Sequence, residues 1–399
     1  MKEFNFTRRN VLGGMAGLTA IGFSRGALAQ AAANLTLPTS PVSLNIIDVA
    51  GNLALTQKAI ENYRKAKPKL VSRITFTKAP APELPGKLKA QQAANRVDID
   101  LVLTGTDALS AGIDQQLWIK LLPDYASKLP NLQDVYLPAA WNMQSLAQNQ
   151  GVVVTYYPSG PLLEYAPDRV KQVPTTADEL LAWTKQNSGR FMYARPANSG
   201  PGRTFLMGIP YLLGDKDPKD PINGWDKTWT YLTELGKNIE YYPSGTTAVM
   251  KELAEGSRDM IASTTGWDIN PRVLGVVPKD VKVASLKGFH WVSDAHYMCV
   301  PKGVSNEKLA VLIDLMAFLL TPEQQAYTYD EGYFYPGPAV KNVPISMAPQ
   351  DSQDAIKEFG RPEYEQLIAN NPIELPLTPD KMVQAFRRWD EQVGSKQAK

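Results

Sequence analysis

"SLNIIDVAGNLALTQKAIENYRKAKPKLVSRITFTKAP", Ser43 to Pro80, sets the architecture. It opens on an apolar, β-branched run that stops at Gly51. A stretch with apolar residues at helical spacing follows, and Pro68 ends it. "VSRITFTKAP" then reads as a second strand. "LPGKLKAQQAANRV" reads as a helix and "DIDLVLTG", Asp98 to Gly105, as a third strand with a glycine turn. Strand, helix, strand, helix, strand implies a mostly parallel sheet flanked by helices.

The same grammar returns further on. "NQGVVVTYYP", Asn149 to Pro158, is a long strand able to pass from one domain to another. "TTADELLAWTKQ" opens as a capped helix, with Thr176 as cap and Glu179 three residues on. "GRFMYARP" is a strand, "GRTFLMGIPYLLGD" a helix, "INGWDKTWTYLTELGKNI" a helix and "EYYPSG" a short strand and turn. "TTAVMKELAEGSRD" is a helix and "MIASTTG" a strand. "VASLKGFHWVSDAHYMCVPKG" holds two strands, and a long helix capped by Ser305 runs through "SNEKLAVLIDLMAFLLTPEQQAYTYDEG". Two further helical segments end near Trp389.

The first residues read as an address. "NFTRRNVLGGMAGLTAIGFSRGALAQ" has a charged start, an apolar run and a small-residue cleavage site at Ala27–Ala29. The pair Arg8 and Arg9 resembles a twin-arginine export signal over residues 1–29. The apolar run is shorter than the roughly 20 residues a membrane span needs. A periplasmic product is expected.

The chain has 399 residues, which suggests two domains at roughly 150 residues each. Lys and Arg number 42 against 40 Asp and Glu, for a net charge of +2. Nothing in that balance favours nucleic acid or an anionic membrane. One cysteine, Cys299, forms no internal disulfide, and two histidines, His290 and His296, rule out a His-rich metal site. Beyond residues 1–29 there is no G-x-S-x-G elbow to accompany a Ser-His-Asp triad. No cofactor and no resident metal are expected.

The order of elements, together with "PKGVSNEKLAVLIDLMAFLLTPEQQ", resembles the extracellular solute-binding proteins of ABC importers. Its carrier is a strand, a turn and a helix ending on an L-x-x-P-E-x-Q signature. The group includes maltose, polyamine, thiamine and ferric-ion binders. The resemblance implies an α/β, two-lobed periplasmic-binding-protein-like fold with the ligand cleft between lobes. Lobe 1 would comprise residues 42–152 plus 279–322, and lobe 2 residues 153–278 plus 323–399. It also implies hinge closure, a small-molecule solute and ABC permease transmembrane subunits as partners. A monomer is expected.

Ligands of open α/β sheets bind beyond the carboxyl ends of strands. That rule selects Asp48, Gly51 and Asn52 after the first strand, and Thr106 and Asp107 after the third. It selects Asn198, Ser199, Gly200, Arg203 and Thr204 in "NSGPGRT", then Thr246 and Thr247, then Trp267 and Asp268. Trp291, Asp294 and Tyr297 come from the strand pair, with His296 beside them, and Tyr335 from "GYFYPGP". Each has a plainer reading: Gly51 as a tight turn, Thr246 and Thr247 as helix caps, the aromatics as core. "NSGPGRTF" is not a phosphate-binding P-loop, since Arg203-Thr204 replaces the Lys-Ser/Thr and the spacing is short.

Aromatics beside carboxylates, Trp267 with Asp268 and Trp291 and Tyr297 with Asp294, suit an organic cation such as a polyamine or thiamine-like compound. Arg195, Arg203 and helix N-termini suit an anion such as a phosphonate or carboxylate. Sugars remain open. Ferric ion would draw on Tyr156-Tyr157 or Tyr241-Tyr242, although strand neighbours point to opposite faces. A periplasmic hydrolase using Asp268 and Asp294 as paired carboxylates is the rival class.

Overall fold

A computed structural model describes residues 35–397. The export-signal expectation lies outside the described residues. Among those described, no helix is long and apolar enough to cross a membrane.

The opening stretch folds as its pattern dictates. Strand β1 (Val42–Asp48) leads to helix α1 (Leu53–Ala66), strand β2 (Val71–Lys78), helix α2 (Leu84–Ala93), strand β3 (Leu101–Thr104) and helix α3 (Thr106–Asp114). Strand β4 (Val152–Gly160) is buried along its length and continues through Pro161 into β5 (Leu162–Tyr165). Helix α4 (Ala177–Gln186), strand β6 (Phe191–Met192), helices α5 (Gly200–Leu213), α6 (Asp226–Gly236) and α7 (Thr246–Ala254), and strands β7 (Met260–Ser263), β8 (Lys282–Ala284) and β9 (Trp291–Cys299) follow. The chain closes with helix α8 (Asn306–Leu319), strand β10 (Gly337–Pro338), helices α9 (Gln350–Phe359) and α10 (Glu363–Asn370), strand β11 (Ile373–Glu374) and helix α11 (Pro379–Gln392).

Two sheets result, in two units. The larger has the order β10-β4-β9-β3-β1-β2, with β11 joined to β9, and the smaller β6-β7-β5-β8. Both are mixed. β1 pairs in parallel with β2 and β3, whereas β3 with β9 and β4 with β9 are antiparallel. In the smaller sheet only β6 with β7 is parallel. The chain changes sheets between β4 and β5, and again between β8 and β9. Leu44, Ile46, Leu103, Val152 and Leu312 sit in one apolar core; Leu180, Phe205, Leu232, Met260 and Trp389 sit in another.

Several local expectations need correction. The long helix after Ser305 stops at Leu319, because Thr321 precedes Pro322 and takes extended angles (φ −74, ψ 148). A separate short turn covers Pro322–Gln325. Ser305 does cap, accepting from the Lys308 N–H. "EYYPSG" forms no strand; Pro243 has no N–H, and among the described residues one backbone bond, Arg195 N–H to the Pro243 carbonyl, joins it to a neighbour. Three C-terminal helices replace the expected two. Residues after 322 also divide differently: Ala326, Ala339, Val340 and Val343 pack in the core of the larger sheet, not the smaller.

Candidate functional site

Turns at the carboxyl ends of β1, β2 and β3 face the N-termini of α5 and α7 across a cleft of about 370 Å³. Val49, Gly51, Pro80, Ala81, Gly105 and Asp107 line the first side. Asn198, Gly200, Arg203, Ser244, Thr246, Thr247 and Trp267 line the second, and Tyr157, His296, Tyr333 and Phe334 form the floor.

Arg203 is the cation of the cleft. Its Nη1 donates to Asp107 Oδ2 at 3.1 Å and its Nη2 to Asp294 Oδ2 at 2.5 Å. The first helical turns of α5 place Arg203 so that it reaches from the second unit to two carboxylates of the first. Burial works against its charge, but Asp294 and Asp107 outweigh burial and hold its pKa above the ordinary arginine value. The Nε is buried and has no acceptor among the described residues. Asp294 also accepts from the Tyr157 hydroxyl at 3.1 Å, the Thr106 hydroxyl at 3.1 Å and the Ala295 N–H at 2.9 Å. Desolvation keeps the Tyr157 phenol far above its ordinary pKa, so it remains a donor.

Two helix starts converge beside Arg203. Ser199 caps α5 through the Gly202 N–H at 3.2 Å, and its hydroxyl meets the Thr246 hydroxyl at 2.7 Å. That contact clips the α5 and α7 N-termini together. A side chain at Gly202 would collide with the Ala194 carbonyl, so only glycine fits under the clip. Gly245 precedes α7 and supplies no side-chain cap. Thr246 and Thr247 line the cleft, and among the described residues their first-turn N–H groups have no side-chain acceptor at the positive end of the helix dipole. The plainer reading of Thr246 and Thr247 as caps does not hold, and Thr246 clips α7 to α5 instead.

An aromatic wall completes the cleft. Ring centroids lie 5.2 Å apart for Trp267 and Tyr333, 4.4 Å for Tyr333 and Phe334, and 4.6 Å for Tyr157 and Phe334. Gly51 (φ +78) turns under this wall, where a Cβ would strike the Tyr333 hydroxyl.

The sequence-selected residues divide into three groups. Gly51, Asp107, Asn198, Gly200, Arg203, Thr246, Thr247 and Trp267 line the cleft. Asp48, Asn52, Thr106, Ser199 and Asp294 lie just behind it. Asp48 organises the first turn, accepting from the N–H groups of Ala50, Asn52 and Leu53. Thr204, Asp268, Trp291, Tyr297 and Tyr335 do not line the cleft. Thr204 turns its hydroxyl back to the Gly200 carbonyl. Asp268 is buried among Arg361, Arg272 and the Tyr364 hydroxyl, and Tyr335 packs beside Tyr364. Trp291 packs on Phe289, and the Tyr297 hydroxyl donates to the Met143 carbonyl. Trp291 and Tyr297 fail because they are odd-numbered on β9 while Asp294 is even, so alternation sends them to the opposite face.

That placement removes the cation cage as read from sequence. It also separates Asp268 from Asp294, so the two do not form a hydrolytic carboxylate pair. The tyrosine pairs do not converge: Tyr156 meets Ser293, Tyr157 meets Asp294, and Tyr241 and Tyr242 sit elsewhere. Among the described residues, no three His, Cys, Asp or Glu side chains gather as a metal site. Pro80, Ala81, Pro82 and Phe334 escaped the sequence reading. The strand-end rule applied to β2 reaches the first three; Phe334, between Tyr333 and Tyr335, carried no separate signal.

The family model for bacterial extracellular solute-binding proteins matches residues 58–357. No curated protein matches the chain by sequence. Solved structures share the fold. The periplasmic binding protein AfuA from Actinobacillus pleuropneumoniae, with fructose-6-phosphate bound, has 17% identity and a TM-score of 0.65 over 88% of this chain and 98% of its own. A putative spermidine/putrescine ABC transporter protein from Listeria monocytogenes has 15% identity and a TM-score of 0.59 over 87% and 97%. A periplasmic thiamin binding protein has 15% identity and a TM-score of 0.62 over 91% and 100%.

Proposed function

The chain belongs to the bacterial extracellular solute-binding proteins, the non-enzymatic capture components of ABC importers, and from that premise we propose that it binds a small organic anion, phosphorylated or carboxylated. The observation that carries this is the clipped pair of helix N-termini beside Arg203. It presents donors to the cleft, whereas the nearby carboxylates are already engaged. Asp48 is bonded to three backbone N–H groups, and Asp107 and Asp294 to Arg203. An organic cation, the first expectation, would find no free carboxylate here. The Trp267–Tyr333–Phe334 wall suits the organic part of the solute. That a fold neighbour is printed with fructose-6-phosphate bound agrees with this class without assigning it.

In this reading the two sheets are lobes that close by hinging at Gly160–Pro161 and between β8 and β9. The closed form delivers solute, as a monomer, to the permease subunits from the periplasm after twin-arginine export. A thermal-shift panel tests the ligand class. Fructose 6-phosphate, citrate, inorganic phosphate, putrescine, spermidine and thiamine are each added to residues 30–399. A solute at 100 times its Kd stabilises by about 2.7 kcal/mol. Stabilisation by anions supports the proposal, and stabilisation by amines alone refutes it.

A further inference from the structure

Behind the cleft, Thr56, Asn52 and His296 form a chain that the anion reading leaves unused. The Thr56 hydroxyl lies 2.6 Å from Asn52 Oδ1, and Asn52 Nδ2 lies 2.9 Å from His296 Nδ1. The first distance decides: 2.6 Å is that of an O–H···O bond and is short for N–H···O, and the same hydroxyl also lies 3.1 Å from the Asn52 carbonyl. The amide is thus oriented with its oxygen to Thr56 and its NH2 to the imidazole. An amide NH2 only donates, so Nδ1 accepts and the ring proton sits on Nε2. His296 is 2% exposed, lines the cleft, and is held edge-on to Phe334 at 4.5 Å.

The charged groups around the ring are Asp294, Asp48, Asp107 and Arg203. None takes the Nε2 proton: Asp48 serves three backbone N–H groups, and Asp107 and Asp294 serve Arg203. Burial pushes the His296 pKa below its ordinary value, against the three carboxylates, so the ring is neutral at pH 7.

We propose that Thr56 and Asn52 are positioning residues that hold His296 as an Nε2–H donor to an oxygen of the bound solute. His296 is then a specificity-determining residue. A neutral donor with a fixed tautomer favours a phosphate, carboxylate or hydroxyl oxygen. It disfavours an amine, whose N–H would face another N–H with both left unpaired. The inference rests on the cleft being the solute site and deepens the anion reading.

His290 and His296 are the 2 histidines of the chain, so long-range proton–nitrogen NMR resolves both rings. His290, half-buried beside Glu374, serves as the reference. The expected spectrum of the solute-free protein at pH 7 shows His296 neutral and protonated on Nε2. Thr56→Val should release the ring into a tautomer mixture, as should Asn52→Leu; if Asn52→Leu does not fold, Thr56→Val alone decides. With fructose 6-phosphate as probe, the Nε2–H resonance should move downfield. Calorimetric affinity should fall at least tenfold in His296→Gln and three- to tenfold in Thr56→Val. An Nδ1–H tautomer or a doubly protonated His296 at pH 7 overturns the proposal. So does wild-type affinity in His296→Gln. If neither fructose 6-phosphate nor inorganic phosphate binds but the tautomer is as stated, the result counts against the solute class and for the positioning chain.

Discussion

Replacing Arg203 by Met removes the cation that bridges the two units at the cleft. Asp294 is 1% exposed, so it would be left charged and nearly dry. Losing one partner of a buried pair costs about 3–5 kcal/mol. Asp294 keeps the Thr106 and Tyr157 hydroxyls and the Ala295 N–H, which sets the expected loss at about 3 kcal/mol, the low end of that range. Asp294→Asn leaves Arg203 with Asp107, which is 12% exposed, and a loss of about 2 kcal/mol is expected. The double variant leaves no stranded charge on this pair, so it should lose less than the sum of the singles by about 2 kcal/mol. Urea unfolding of the four proteins measures all three values. If Arg203→Met loses under about 0.5 kcal/mol, or the singles simply add, the pair behaves as a solvated surface contact and the dry bridge is wrong.

Other outcomes follow from the same geometry. Glu164 is fully buried, and burial, with Asp268 adding and the Ser263 hydroxyl opposing, lifts its pKa from 4.5 to about 8. The folded chain holds that proton more tightly than the unfolded one. Its stabilising contribution is therefore complete below pH 4.5 and is lost as pH rises to about 8, with a slope up to about 1.4 kcal/mol per pH unit. Glu164→Gln should flatten that slope in urea unfolding between pH 5 and about 8. Asp268→Asn strips charge from the cluster with Arg361, Arg272 and Tyr364; it should lower stability by about 2 kcal/mol or more and leave solute affinity unchanged. Lost affinity in a fully folded Asp268→Asn would return this residue to the site. Thr246→Val breaks the clip to Ser199 and should weaken anion binding by about 1 kcal/mol in calorimetry, less than Arg203→Met does.

The α/β alternation was legible because the runs in Ser43–Gly105 end on turn-forming residues: Gly51, Pro68, Pro80, Asn95 (φ +51) and Gly105. Periodicity could not show strand direction, and so it missed that β9 enters antiparallel between β3 and β4. The strand-end rule found Asp107, Gly200, Arg203 and Thr246, residues that stand at or just beyond a strand-to-helix turn. It failed where adjacency in sequence stood for adjacency in space. Trp291 and Tyr297 share a strand with Asp294 but not a face, and Asp268 follows Trp267 yet turns into a buried charge cluster formed with residues about 90 positions away. The contact of Arg203 with Asp107 and Asp294, the feature that uses up the carboxylates and moves the ligand reading from cation to anion, joins residues 96 and 91 apart. No local pattern announces such a pairing.

A crystal structure grown with fructose 6-phosphate, or with the anion that stabilises most in the panel, locates the recognition group. The phosphate or carboxylate should lie between Gly200 and Thr247, accepting from the first-turn N–H groups of α7 with Arg203 alongside and His296 Nε2 at a solute oxygen. An anionic group placed outside this cleft, or a cleft filled by an amine bound to Asp107 and Asp294 in place of Arg203, would contradict the account.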